Sequence, residues 1–146
     1  MKILSIDTSS KICSVSILED TTVILEKHTN DEKTHSQNLM PLIDELFKDT
    51  NLTLDNIDLL ACSQGPGSFT GIRIGIATIK AFADAKNIPV VGVTSLESLA
   101  YNITESGLIV SLIDAKMTMF IILYLVIMEQ HIHKLVILNH VLSMIF

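Results

Sequence analysis

A glycine-rich run at residues 65–75 constrains the fold of this chain more than any other segment. It contains Gly-Pro-Gly-Ser-Phe-Thr-Gly-Ile-Arg-Ile-Gly, follows the apolar residues 59–62, and precedes a helical pattern from Ile76 to Lys86. Glycine tolerates positive φ and proline presets its own φ, so the run predicts a tight turn between a strand and a helix. Ser68 and Thr70 can cap the first free amides of that helix. Such a junction directs backbone N–H groups at one point, where phosphates and other anions bind.

The hydrophobic periodicity predicts a mixed sheet with helices packed on its faces. The first three strands, expected as an antiparallel meander, cover residues 2–7, 13–18 and 23–27. An apolar stripe then recurs at helical spacing and predicts an amphipathic helix over residues 35–49. Pro41 lies inside that pattern and predicts a kink or a later start of the helix.

The second half of the chain continues with short elements. Strands are predicted at residues 59–63, 89–93 and 108–113, and a capping box at Thr94 predicts a short helix to about residue 102.

Composition and charge exclude some classes of protein. The net charge of −6 argues against sequence-independent binding of nucleic acid by a broad basic surface. Cys13 and Cys62 show no Cys-x-x-Cys spacing and lie in strand-like apolar runs, so both are expected to be buried free thiols. The amino-terminal segment lacks the pattern of a signal peptide, and we expect a cytoplasmic protein with no membrane partner.

Residues 117–146 differ in character from the rest of the chain. They contain no Gly or Pro, and residues 117–128 are almost entirely apolar. A membrane anchor and a buried strand-and-helix region are two interpretations, although the apolar run is shorter than the roughly 20 residues of a spanning helix. The hypothesis we favour is a frameshift, because back-translation with A/T-rich codons and one A inserted after the Lys116 codon gives Asn-Asp-Asn-Val-Tyr-Tyr. The segment is then an aberrant hydrophobic tail, which we expect not to complete a sheet whose register was set for other side chains.

Two segments could together bind phosphate. A carboxylate and two hydroxyls close the first strand, and the glycine run supplies turn and hydroxyl residues; the set is Asp7, Thr8, Ser9, Gly65, Gly67, Ser68 and Thr70. No lysine follows Gly71, so the run is not a Walker A loop. An Asx-turn after the first strand and a purely structural loop are the alternatives.

A metal site or a catalytic set is not expected. A helical metal pair starting at His35 would need a second ligand four residues on, where Leu39 stands. No Ser/His/Asp or Cys/His arrangement can be assembled, so we predict neither catalytic nor metal-binding residues.

Four segments carry a resemblance to a known family. MKILSIDTSS, THSQNLMPLIDELF, GPGSFTGIRIGIATIKAFA and PVVGVTSLESLA resemble the TsaB (YeaZ) family, and the likeness runs from Met1 to about Lys116. These proteins are paralogues of TsaD, in a group once called M22 glycoproteases. The resemblance implies an actin/Hsp70-like (ribonuclease H-like) α/β fold, in which two related subdomains flank a cleft. Here the second subdomain would be incomplete.

The resemblance also implies a function. It indicates a non-catalytic scaffold of the complex that makes tRNA N6-threonylcarbamoyladenosine (t6A), with TsaD and the ATPase TsaE as partners and tRNA bound only through the complex. The chain alone would form a homodimer and hold no cofactor, with ATP only at the complex interface. The implied partner interface lies on two helices and comprises His35, Leu39, Leu42, Ile43, Leu46, Arg73, Ile76, Ile79 and Lys80. The alternative is that both apolar stripes only cover the sheet.

The expected organisation has three parts. Residues 1–103 form an amino-terminal actin-like subdomain, residues 104–116 begin a second subdomain, and residues 117–146 are the aberrant tail. An alternative function is a phosphate-binding ATPase or hydrolase that uses Asp7, Thr8 and the glycine run. A metalloprotease is a weaker alternative, because the zinc-ligand pair is missing.

Overall fold

A computed structural model describes residues 1–29, 34–103 and 107–114, and the backbone of residues 120–128 and 131–133. Two compact units are present, Met1–Val93 and Thr94–Phe146. The division therefore falls before the third helix, and not after it at residue 103 as the sequence suggested. The residues that the sequence analysis assigned to the tail outside 120–128 and 131–133 lie outside the described residues.

The first unit is built on a mixed five-stranded sheet. The order of its strands is β3-β2-β1-β4-β5. The strands are β1 (Lys2–Asp7), β2 (Cys13–Glu19), β3 (Thr22–Thr29), β4 (Leu59–Ser63) and β5 (Val90–Val93). β1, β2 and β3 form the expected antiparallel meander, whereas β4 pairs in parallel with β1 and with β5. The alternation of apolar residues predicts these strands because successive side chains point to opposite faces of a sheet.

Two long helices cover one face of this sheet, α1 (His35–Thr50) and α2 (Phe69–Lys86). Strand register aligns Leu4 with Ile17 and Leu60, and all three side chains are fully buried beneath the helices. A short 3-10 turn at Leu54–Asn56 precedes β4.

α1 begins at the predicted residue, whereas α2 begins before the apolar pattern that starts at Ile76. α1 starts at His35 and contains Pro41, so the later start is wrong. The Thr34 backbone N–H donates to the Gln37 side chain and fixes this end of the helix. α2 starts at Phe69 and not at Ile76, because the residue before it is the N-cap.

An ion-pair group joins the edge strand β3 to α1. The Lys27 Nζ lies 2.6 Å from Asp49 Oδ2 and 3.5 Å from Glu45 Oε2. The hydrogen bond to Asp49, with a smaller contribution from Glu45, raises the pKa of Lys27 above its usual value. These charges hold β3 against the helix that covers it.

The second unit starts with α3 (Ser95–Ala100), whose capping box is confirmed: Thr94 Oγ1 accepts from the Glu97 N–H, and the Thr94 N–H donates to Glu97 Oε2. A three-stranded antiparallel sheet follows, in the order β6-β7-β8. Its strands are β6 (Gly107–Asp114), β7 (Phe120–Met128) and β8 (His131–His133).

The placement of β7 corrects the expectation for the tail. β7 pairs with the full length of β6, from Gly107 opposite Ile127 to Asp114 opposite Phe120. The hydrogen bonds between two strands join backbone groups. β7 can therefore pair with β6 even if its side chains come from a shifted reading frame. An unbroken apolar run is also compatible with a strand. Residues 120–128 therefore do extend a sheet, while the frameshift itself stays a prediction.

Candidate functional site

The turn after β1 is closed by the Asp7 carboxylate. Asp7 Oδ1 accepts from the Ser9 backbone N–H at 2.7 Å, which is the geometry of an Asx-turn. The Asx-turn, which was the alternative to a phosphate-binding role for Asp7, is therefore present. The hydrogen bond fixes the direction in which the chain leaves the strand, and so it positions Thr8 and Ser9 beside the glycine run.

Thr8 faces the first turn of α2. Its side chain is 2 % exposed, and its hydroxyl donates to the Gly71 carbonyl oxygen at 2.7 Å. A Cβ on Gly71 would overlap the Thr8 carbonyl oxygen, and one on Gly75 would lie 2.5 Å from the Thr8 hydroxyl. Gly71 thus lets the helix backbone contact the backbone of Thr8, and Gly75 leaves room for the Thr8 side chain.

Ser9 contacts the residues that directly precede α2. Its carbonyl oxygen accepts from the Ser68 backbone N–H at 2.6 Å. A Cβ on Gly67 would overlap that same carbonyl oxygen. The glycine run is consequently bound to the β1–β2 turn at Gly67, Ser68 and Gly71.

The start of α2 has one N-cap. Ser68 Oγ accepts from the Gly71 N–H at 3.2 Å, so the predicted cap at Ser68 is confirmed. Thr70 lies inside the first helical turn and does not cap it. Gly65 has a φ of 90°, which only glycine adopts without strain, and it turns the chain from β4 towards the helix.

The structure therefore brings the two halves of the predicted phosphate site together, but polar groups of the two halves form hydrogen bonds with each other. The Thr8 hydroxyl, the Ser9 carbonyl and the Ser68 amide each bond to the other segment. Sequence reasoning missed that Gly71 and Gly75 belong to the same junction. Their spacing of four residues was the available signal, since residues four apart share one face of a helix.

His35 connects a third segment to this junction. Its Nε2 lies 2.8 Å from the Ser10 carbonyl oxygen, and its ring stands beside Gly71. The residue four positions later, Leu39, is 1 % exposed and belongs to the core. Among the described residues, no group of three or more His, Cys, Asp or Glu is placed to hold a metal ion.

The burial of the helix residues corrects most of the expected partner interface. Five side chains lie in the core between helices and sheet: Leu39, Leu42, Ile43, Leu46 and Ile79. Ile76 is half-buried and packs against the same core. These residues cover the sheet, as the alternative held, and side chains inside the core offer no surface to a partner. Arg73 and Lys80 are exposed.

Phe69 is a surface residue that sequence reasoning missed. Its side chain is 69 % exposed, and the Arg73 guanidinium carbon lies 3.7 Å from the centre of its ring. The two residues are four apart on α2, and such a cation–aromatic contact orders both side chains. The available signal was an aromatic residue at the first position of a helix, outside the apolar stripe.

Both cysteines, Cys13 and Cys62, are buried. Burial raises the pKa of the Cys62 thiol, so the thiolate that would act as a nucleophile is disfavoured.

The fold defines the class of protein first. The five-stranded mixed sheet with helices on one face, followed by the start of a second α/β unit, is an actin/Hsp70-like (ribonuclease H-like) arrangement with an incomplete second subdomain. The solved structure of YeaZ from Pseudomonas aeruginosa superimposes on this chain with a TM-score of 0.78 at 28% identity. The superposition covers 91% of this chain and 63% of the YeaZ chain. Within the described residues, no helix is long and apolar enough to cross a membrane.

Sequence comparisons then give the family. The family model described as TsaD, tRNA N6-adenosine threonylcarbamoyltransferase, matches residues 23–137, which extends past Lys116. The tRNA threonylcarbamoyladenosine biosynthesis protein TsaB of Bacillus subtilis is 38% identical over 117 residues, which are 80% of this chain and 51% of that protein. The protein of the same name from Escherichia coli is 33% identical over 120 residues, or 80% and 52% of the two chains.

The chain belongs to this family, and within it the likeness is to the TsaB (YeaZ) proteins. It spans about half the length of the curated relatives that it matches.

Proposed function

We infer that the chain takes part in the biosynthesis of tRNA N6-threonylcarbamoyladenosine as a non-catalytic scaffold that binds TsaD. The relatives named TsaB support the pathway. In this proposal TsaE and tRNA join through the complex, and ATP binds at its interface and not to this chain alone.

The observation that carries the scaffold role is the exposed pair at the start of α2. Phe69 leaves most of its ring in solvent, and Arg73 holds that ring in one orientation. Aromatic and arginine side chains are enriched among the residues that contribute most to binding at protein interfaces. An ordered pair also loses less conformational freedom on binding than two mobile side chains.

The rest of α2 is compatible with a helical partner. Ala77, Lys80 and Ala81 are exposed beyond Arg73, and the small alanines let another helix approach closely. The same side of the helix has Asp84 near its end, so the surface presents charges of both signs around an apolar centre. A central aromatic anchor with a polar surround is the usual anatomy of a specific interface.

The glycine junction supports a structural role over catalysis. Its hydroxyl, carbonyl and amide groups hold α2 against the β1–β2 turn. That junction fixes the helix end on which Phe69 is displayed, because Ser68 is both the N-cap and the residue bonded to Ser9.

A binding experiment tests this proposal. The chain is co-expressed with TsaD of the same organism and captured through a tag on TsaD. We expect the double variant Phe69→Ala, Arg73→Ala to lose at least tenfold in affinity, which corresponds to about 1.4 kcal/mol. Val23→Ala, a change at another exposed apolar residue on β3, is the control and is expected to bind like the unchanged chain. Undiminished capture of the double variant would contradict the proposed surface.

The alternative, an ATPase or hydrolase, makes a different prediction for Asp7. Asp7→Asn keeps an acceptor for the Ser9 N–H but removes the negative charge that phosphate chemistry with a metal ion would use. We expect this variant to bind TsaD normally. Turnover of ATP by the isolated chain that disappears in Asp7→Asn would favour the enzyme instead.

A further inference from the structure

The turn between β1 and β2 bonds to the first residues of both long helices. Thr8 and Ser9 make hydrogen bonds to the start of α2. Ser10, the next residue, bonds to the start of α1, because the Nε2 of His35 lies 2.8 Å from its carbonyl oxygen. Three consecutive residues make these bonds, so neither helix start can shift relative to the turn without breaking at least one of them.

The His35 ring touches both the turn and α2. A backbone carbonyl oxygen only accepts hydrogen bonds, so Nε2 must carry a proton and donate it to the Ser10 carbonyl. The Cδ2 atom of the same half-buried ring would lie only 3.0 Å from a Cβ on Gly71. The ring can stand this close to the first turn of α2 because Gly71 has no side chain.

The Ser10 carbonyl is a fixed anchor for this ring. Before it, Asp7 Oδ1 accepts from the Ser9 N–H at 2.7 Å. After it, Ser10 Oγ accepts from the Ile12 N–H at 3.1 Å. Such local bonds fix the backbone of a turn. The direction of the carbonyl is therefore set by the turn itself, and the bond from His35 transmits that order to the helices.

The exposed pair of α2 lies on the side of the helix away from this ring. Gly71 is two residues after Phe69 and two residues before Arg73. Residues two apart on an α-helix point in nearly opposite directions, since a turn takes 3.6 residues. The His35 ring, which stands beside Gly71, therefore supports the first turn of α2 from behind the exposed pair.

We propose that His35 is a positioning residue for partner binding: it supports the first turn of α2 and so holds Phe69 and Arg73 in the orientation that the partner meets. The inference rests on the proposed function, because it assumes that this pair is the surface that binds TsaD. Without the ring, the first turn of α2 samples other orientations. The apparent dissociation constant then rises in inverse proportion to the fraction of chains in the competent orientation.

Amide hydrogen exchange of the full 146-residue chain, with no partner present, tests the positioning. His35→Gln and His35→Glu have nearly the same shape, but only glutamine donates from the atom that replaces Nε2. Glutamate at the first position of α1 is otherwise favourable, because its charge meets the positive end of the helix. We expect His35→Glu to speed exchange of the Ser68 and Gly71 amides by about three- to tenfold, the value of one hydrogen bond. His35→Gln should exchange like the unchanged chain.

Two controls separate this local effect from a general loss of stability. The amides of residues 83–86, at the far end of α2, should exchange equally in all variants. His28→Glu makes the same change at an exposed histidine on β3 and should leave the start of α2 unaffected. Faster exchange along the whole of α2 in His35→Glu would show a merely structural role and would overturn the proposal.

Affinity for TsaD, measured by capture on tagged TsaD, then connects the positioning to binding. We expect His35→Glu to bind about three- to tenfold more weakly, and His35→Gln and His28→Glu to bind like the unchanged chain. Equal behaviour of His35→Gln and His35→Glu would overturn the proposal. Weaker binding by His35→Glu with unchanged exchange at Ser68 and Gly71 would also overturn it, by placing His35 in direct contact with the partner. Failure of the unchanged chain to bind TsaD would contradict the proposed function, whereas the exchange experiment decides the role of His35 without a partner.

Discussion

At the scale of single residues, three glycines allow the start of α2 to pack against the turn that follows β1. Gly67, Gly71 and Gly75 bring α2 against Thr8 and Ser9 so closely that a methyl group at any of them meets that turn. The hydrogen bonds from Thr8 and to Ser9 then close the junction. The glycine run is thus primarily a device for packing backbone on backbone, and its tight turn is only one part of that.

This account predicts that Gly71→Ala destabilises the protein although alanine is the better helix former. Helix propensity alone favours alanine by about 1 kcal/mol. The new Cβ, however, meets the backbone oxygen of Thr8, which cannot move without shifting β1. We expect a net loss of about 2 kcal/mol or more in the free energy of unfolding, measured by urea denaturation. Gly92→Ala is the control, because its Cβ meets only the flexible Gln64 side chain. A Gly71→Ala protein as stable as Gly92→Ala would contradict the packing role.

At the scale of elements, α1 and α2 each have one face buried against the sheet and one face exposed. Four apolar residues of α1 lie in the core, and the exposed start of α2 presents Phe69 with Arg73. Periodicity in the sequence predicts both helices and most strands because burial on one face imposes a repeat. It does not tell whether a stripe faces the chain's own sheet or a partner, which is why Leu42 and Ile43 were expected at an interface.

A pair of alanine substitutions on α1 checks this division. Leu46 is 0 % exposed and Met40 is 50 % exposed on the same helix. Leu46→Ala should cost about 2–5 kcal/mol of stability, through lost burial and a cavity. Met40→Ala should stay within about 0.5 kcal/mol of the unchanged chain. Thermal or urea unfolding followed by circular dichroism measures both, and similar costs at the two positions would contradict the burial pattern.

The parts that sequence reasoning missed are contacts between distant segments. Thr8 and Gly71 are 63 positions apart, and no local pattern announces that they touch. The same holds for the pairing of β7 with β6, because an unbroken apolar run in the sequence does not show which strand it will pair with. By contrast, the Ser68 and Thr94 caps were predictable because capping is decided within four residues.

At the scale of the whole molecule, the chain spans about half the length of the curated TsaB relatives that it matches. Its first unit contains the glycine junction and the exposed start of α2, and the proposed scaffold function requires both.

The t6A content of tRNA in living cells tests the central claim most directly. A bacterium depleted of its own TsaB would express this chain together with TsaD of the same organism, and t6A would be measured by mass spectrometry of tRNA nucleosides. The account predicts that the unchanged chain and Asp7→Asn restore t6A, whereas Phe69→Ala, Arg73→Ala does not. Restoration by the double variant, with failure of Asp7→Asn, would contradict a scaffold that acts through α2.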